Sequence, residues 1–242
     1  MVRSERLSKF ALMKTSRIYH ELNLDIVTTE SDDVCYVLLP EGMKEADMNW
    51  LDEMVLKYPI NIVAISGMNW NDDLTPWKAP ALNPKEDDFK GKAKNFLSSL
   101  LSDLFVNTEQ SLRLNHPKRH LIGISLSGLF ALWASTVTGK FNSVASISGS
   151  LWYDGFVEWF KEQELLAERY FLSLGEKEVK SKNKRLAGVG SCTEATLQII
   201  QDKNKEVTFV TDEGNHFEFF RERLENALSY IVGNATPVSE NA

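Results

Sequence analysis

The sequence predicts an α/β protein, a mostly parallel central sheet with helices on both faces. Three observations carry that expectation. Short, largely apolar runs of strand character recur at 34–39, 61–65, 120–123, 141–146, 170–174 and 206–210. Segments with helical spacing of apolar residues separate them, and strands buried on both faces between helices belong to a parallel sheet covered on two sides. The 242 residues are 43% hydrophobic and show no repeat or splitting linker, which fits one domain over 1–242.

The elements follow in order. Residues 1–20 are polar with scattered apolar positions, an early strand or a lead-in. LNLDIVTT at 22–29 alternates as a strand does. VCYVLL at 34–39 carries β-branched and aromatic residues and ends at Pro40 and Gly42, so it is a buried strand and a turn. Met48, Leu51 and Val55 recur at helical spacing, and NIVAI at 61–65 is another buried strand stopped at Ser66 and Gly67. Residues 67–88 have no periodicity, an excursion of the length that compact domains reserve for function. Ala93, Phe96, Leu100, Leu101, Leu104 and Phe105 outline a helix. Past Pro117, residues 120–123 form the strand that leads into LIGISLSG. LFALWA at 129–134 is apolar nearly all round, as a buried helix is. After the strand at 141–146, the aromatic-rich run SGSLWYDGFVEWF opens a second excursion over 148–168. YFLSL at 170–174 is a strand closed by Gly175, 193–202 is weakly helical, and EVTFV at 206–210 is the last strand. Phe217, Phe220, Leu224, Ala227, Leu228 and Ile231 define a C-terminal amphipathic helix, and 233–242 read as frayed.

Composition narrows the function classes. A net charge of -7 advertises no basic face, so nucleic acid is a poor partner. Cys35 and Cys192 form neither a disulfide framework nor a metal cluster, and Cys35 reads as a small buried hydrophobe. The N-terminal segment lacks the apolar stretch of a signal peptide, and no apolar run is long enough to span a membrane. These features predict a cytoplasmic protein with no membrane partner. G-x-G-x-x-G and G-x-x-x-x-G-K-[ST] are both missing, which argues against a nucleotide-binding α/β protein.

The chemistry centres on Ser125. It follows an apolar strand directly and precedes a buried helix, with Gly123 and Ser127 two positions to either side. In a nucleophile elbow those flanking positions must be small, because larger side chains collide across the tight turn. A helix that starts just after the serine points free N–H groups at any oxyanion there, so the Leu126 N–H is a natural donor. A serine hydroxyl also needs a base, and the base needs an orienting acid. Of four histidines, His216 alone lies on the carboxyl-end side of a strand, between the last strand and the last helix. His120 opens the strand that carries Ser125, His116 is in the connector before it, and His20 is in the lead-in. The acid should fall between serine and histidine in chain order. Glu178 lies just past the strand that ends at Gly175, with Glu176 as its neighbour and Asp154 and Asp212 as more distant rivals.

These residues resemble the α/β-hydrolase superfamily, and more narrowly the putative-esterase group that includes esterase D-like and enterobactin-type siderophore esterases. The resemblance covers roughly residues 15–232. The group's G-x-S-x-G-G-L elbow matches Gly123–Leu129 with Ser127 in place of a glycine, and its G-x-x-acid matches Gly175 to Glu178. Its glycine and histidine near the end match Gly214 and His216. The resemblance further implies a second oxyanion N–H at Met43 or Gly42, and it places the 72–77 and 148–153 segments at the active-site mouth. The implied activity is hydrolysis of a carboxylic ester through an acyl-enzyme on Ser125, with no metal and no cofactor. Trp70, Trp77, Trp152 and Tyr153 are expected to line the substrate pocket, a packed lid being their other reading. No basic cluster near the excursions announces an anionic siderophore, which favours small esters. Siderophore-type or feruloyl-type ester hydrolysis, thioester hydrolysis and acyl transfer remain open on the same triad, as does a non-catalytic partner-binding domain. The aromatic excursions would equally suit a homo-oligomer interface.

Overall fold

The computed structural model describes residues 14–83, 85–181 and 183–233. The expectations for the first thirteen residues and for a frayed tail beyond Gly233 therefore lie outside the described residues. In chain order the elements are β1 (Lys14–Tyr19), β2 (Leu22–Val27), β3 (Val34–Leu38), α1 (Glu45–Lys57), β4 (Asn61–Ser66), α2 (Trp70–Asp73), β5 (Lys78–Ala79) and β6 (Phe89–Lys90). Next come α3 (Ala93–Ser99), a π-helical stretch at Leu100–Leu104, α4 (Phe105–Ser111), β7 (Arg119–Ile124), α5 (Leu126–Val137), β8 (Ser143–Ile147) and α6 (Phe156–Lys161). The chain closes with β9 (Arg169–Gly175), a 3-10 turn at Glu178–Lys180, α7 (Lys184–Ala187), α8 (Val189–Asp202), β10 (Glu206–Asp212) and α9 (Phe220–Ile231).

Eight strands form one sheet in the order β1-β2-β4-β3-β7-β8-β9-β10. From β4 to β10 every neighbouring pair is parallel, while β1 and β2 run antiparallel at one edge. The apolar runs are explained by the pleat, which sends alternate residues to opposite faces. Val34, Tyr36 and Leu38 join a core with residues of α3, α5, α6 and α8, whereas Cys35 and Val37 join a second core with residues of α1 and α9. Helices on both sides leave neither face to water, so polar alternation has no place in these strands. No helix among the described residues is long and apolar enough to cross a membrane.

Three local expectations change. The excursion 67–88 holds the short helix α2 and contributes β5 to a two-stranded pair with β6. The helix expected around 93–105 continues to Ser111 through the π-helical stretch. Phe217 is not on the apolar face of the last helix: it precedes α9 and is 89% exposed. The chain reaches α9 only after Phe219, whose φ of 58° is left-handed, so periodicity across 217–220 has no helix to describe.

Candidate active site

β7 delivers the chain to Ser125, whose backbone adopts φ 61° and ψ -123°. Non-glycine residues rarely occupy that region, and it persists only where surrounding structure enforces it. Here the Ser125 N–H donates to Ile147 O at 3.0 Å, while its carbonyl accepts the N–H of Ser150 at 2.9 Å and of Gly128 at 3.0 Å. A Cβ on Gly123 would stand 1.9 Å from the carbonyl oxygen of Ser127, so only glycine fits. Ser127, where the resemblance leads one to expect glycine, is buried and accepts the Ile124 N–H at 2.6 Å. Its hydroxyl proton is shared between Leu38 O at 2.8 Å and Ile124 O at 2.9 Å, which ties the elbow to the end of β3.

The loops after β9 and β10 bring the other two residues together. His216 Nδ1 lies 2.7 Å from Glu178 Oε2. The other carboxylate oxygen of Glu178 accepts from Ser148 Oγ at 2.6 Å, the Gly175 N–H at 2.8 Å and Arg223 Nη1 at 3.1 Å. Burial pushes this carboxyl up, but hydrogen bonds from His216, Ser148 and Gly175 outweigh it and hold it below the ordinary glutamate value. Glu176 instead faces its neighbour Lys177 at 3.7 Å, and half its side chain is exposed. Asp154 pairs with Arg185 at 3.1 Å, and Asp212 is 3.6 Å from Arg223 Nε. The remaining histidines stay away: His20 contacts Asp103 on the surface, and His120 lies buried in β7 at the opposite end of the sheet.

Ser125, Leu126, Glu178 and His216 all line one cavity of about 620 Å³ beyond the carboxyl ends of the strands. The Ser125 hydroxyl is 3.4 Å from that of Ser150, and no direct hydrogen bond to His216 is present among the described residues. α5 has no side-chain cap at Ser125, so its first N–H groups are left to the cavity at Leu126. Trp70 and Trp152 line this space, together with Phe89 and Phe217. Trp77 and Tyr153 do not. Tyr153 is buried and donates its hydroxyl to Trp77 O, and the Trp77 indole donates to Asp154 O at 2.9 Å. Those two side chains instead bond the two excursions to each other. Gly42 and Met43 are also absent from the cavity lining, and the Met43 N–H donates to Asp25 Oδ2 at 3.0 Å.

Sequence reasoning placed the 148–153 segment at the mouth but singled out neither Ser148 nor Ser150, which follow β8 on the same carboxyl-end side as the others. Lys177 and Lys180 reach the cavity, although no basic cluster is visible in the excursions. Arg223 carried one signal, a charge on the apolar stripe formed by Leu224, Ala227 and Leu228.

The chain's relatives agree with this architecture. Residues 44–235 match the family described as Putative esterase. The chain is 26% identical to the uncharacterized protein YbbA of Bacillus subtilis over 182 residues, covering 71% of this chain and 73% of that protein. It is similar to the structure of the BES protein from Bacillus cereus, with a TM-score of 0.69 at 23% identity over 93% of this chain and 96% of that one. The siderophore hydrolase EstA from Aspergillus nidulans gives a TM-score of 0.67 at 17% identity over 98% of both chains. At these identities the two structures show a shared α/β-hydrolase fold.

Proposed function

The chain belongs to the Putative esterase family, and from that premise we propose that it hydrolyses a carboxylic ester through Ser125, His216 and Glu178. One observation carries the reading: a strained serine at the end of β7 shares a cavity with a histidine held at 2.7 Å by a buried carboxylate.

The chemistry follows from that arrangement. Glu178 accepts the Nδ1–H of His216, which leaves Nε2 as the basic atom. Ser125 Oγ attacks the ester carbonyl while Nε2 takes its proton. The oxyanion receives the Leu126 N–H at the start of α5, and one such donor is typically worth about 2.7–4 kcal/mol. Met43 does not contribute in this arrangement, since Asp25 holds its N–H. The imidazolium then protonates the leaving alkoxide, and a water deprotonated by His216 releases the acid from the acyl-enzyme. Esters are favoured over amides because an alkoxide leaves more readily than an amine.

The cavity favours a second reading of the substrate. Trp70, Phe89, Trp152 and Phe217 offer aromatic walls, and Lys177 and Lys180 bring positive charge to them. That combination suits an aromatic or anionic ester of siderophore or feruloyl type better than the small neutral ester expected from sequence. The two free cysteines suit a reducing cytosol.

Labelling with a fluorophosphonate, read by intact mass, tests the proposal. A single adduct is expected on the wild type, none on S125A and greatly reduced labelling on H216A. A folded wild type that resists labelling across about pH 6 to 9 would leave the elbow an architectural turn. Comparing p-nitrophenyl acetate with esters of aromatic carboxylic acids then separates the two substrate readings.

A further inference from the structure

We propose that Arg223 is a positioning residue of this site: it locks the His216 loop against Glu178 and tempers the pull of that carboxylate on the imidazole. The proposal rests on the Ser125–His216–Glu178 reading. Arg223 projects from α9 and is 2% exposed. Nη1 donates to Ser148 Oγ at 2.6 Å and to Glu178 Oε1 at 3.1 Å. Nη2 donates to the carbonyls of Glu213 at 3.0 Å and Asn215 at 2.9 Å. Nε faces Asp212 Oδ2 at 3.6 Å, an ion pair too long for a hydrogen bond.

One guanidinium thus joins the segments that follow β8 and β9 and the end of β10 with its loop, just before His216. Burying a cation is costly unless its donors are satisfied. The rigid fork of arginine can satisfy three segments at once, which a lysine cannot. The backbone makes room for it, since a Cβ on Gly175 would lie 2.5 Å from Nη2. The Ser148 hydroxyl, on a left-handed residue with φ 47°, bridges guanidinium and carboxylate.

Arg223 places its positive charge 3.1 Å from one carboxylate oxygen of Glu178, while the other oxygen lies 2.7 Å from His216 Nδ1. Glu218 caps the same loop by accepting the Asn215 N–H at 2.8 Å. Lys177, Lys180 and Glu86 line the same cavity as His216.

The test compares the full-length wild type with R223M, R223K and R223Q. Folding is checked by near-UV circular dichroism, and kcat and KM are measured on p-nitrophenyl acetate across pH. R223M should lower kcat by about 10- to 100-fold with KM changed by less than about twofold, and its acid limb of kcat/KM should move to higher pH. R223K keeps the charge and should keep the limb at its wild-type position. If R223M does not fold, R223Q, which removes the same charge but keeps a polar side chain, is read for the same upward shift. An unmoved limb in the folded variant overturns the proposal. NMR titration of the His216 ring reads the same shift without turnover. Loss of Ser125-dependent hydrolysis in the wild type would therefore sink the esterase reading while leaving the Arg223 arm independently decided.

Discussion

At Gly123 a methyl group would meet Ser127 O at 1.9 Å and its carbonyl carbon at 2.1 Å, both backbone atoms that cannot move without opening the elbow. Gly139, just beyond α5, has nothing within 4 Å of the same position. G123A should therefore lose about 3 kcal/mol or more of stability, or fail to fold, whereas G139A should stay within about 0.5 kcal/mol. Urea unfolding of the two variants beside the wild type checks the contrast. The same single-residue logic explains why sequence spacing marked Ser125 as a candidate elbow, with His216 and Glu178 needed to strengthen it. A Gly and a Ser two positions either side of a residue are a steric statement that survives without coordinates. The choice between Glu178 and Glu176 was not of that kind, because both lie in one polar loop. It was decided by the 3-10 turn, which points Glu178 toward His216.

Among the elements, one buried polar side chain ties the start of α5 to the end of β3. Ser127 Oγ reaches Leu38 O and both polar backbone groups of Ile124, all in a dry environment. S127A would leave the Ile124 N–H without that acceptor, so it should cost about 1–3 kcal/mol, read as a lower midpoint in denaturant. S127G should do no better, although a glycine was the residue anticipated there. The lid divides its aromatics between two tasks. Trp152 lines the cavity, so W152A should raise KM severalfold with a smaller change in kcat. Trp77 is bonded to Asp154 O, so W77F should lower stability by about 1 kcal/mol and leave KM within about twofold. A steady-state assay with both variants separates them, and equal KM effects would remove Trp77 from its packing role. Sequence could name the aromatic excursions but not this division, because which ring faces inward depends on the path of the loop.

For the whole molecule, acid sensitivity should come first from the pole opposite the cavity. His120 is buried in β7, and burial lowers its pKa from the usual 6.5 to about 4. The unfolded chain therefore binds a proton there that the native protein does not. Stability is fully present above about pH 6.5, falls as pH drops and is lost through about pH 4, on the order of 3 kcal/mol in all. The melting temperature should fall over that window, and H120Q should flatten it. A slope unchanged in H120Q would place the sensitivity elsewhere. Glu178 acts lower: its depressed value means that its contribution is present above about pH 4.5 and lost as pH falls further.

By itself the sequence determined the parallel sheet, the elbow and the order of Ser125, Glu178 and His216. Each of these rests on a local physical constraint: strands buried on two faces must be apolar throughout, and a tight turn must be flanked by small residues. A site at the carboxyl ends of strands must also draw on the loops after them. Tertiary structure alone decided the direction of the Met43 N–H, the placement of Lys177 and Lys180 in the cavity, and the burial of Arg223 between three segments. None of these follows from spacing along the chain, because each depends on how loops from β2, β3, β8, β9 and β10 meet in space. Asp25 and Met43 are eighteen residues apart and Ser148 and Arg223 are seventy-five apart. Only the stacking of the strands brings such residues within hydrogen-bond distance.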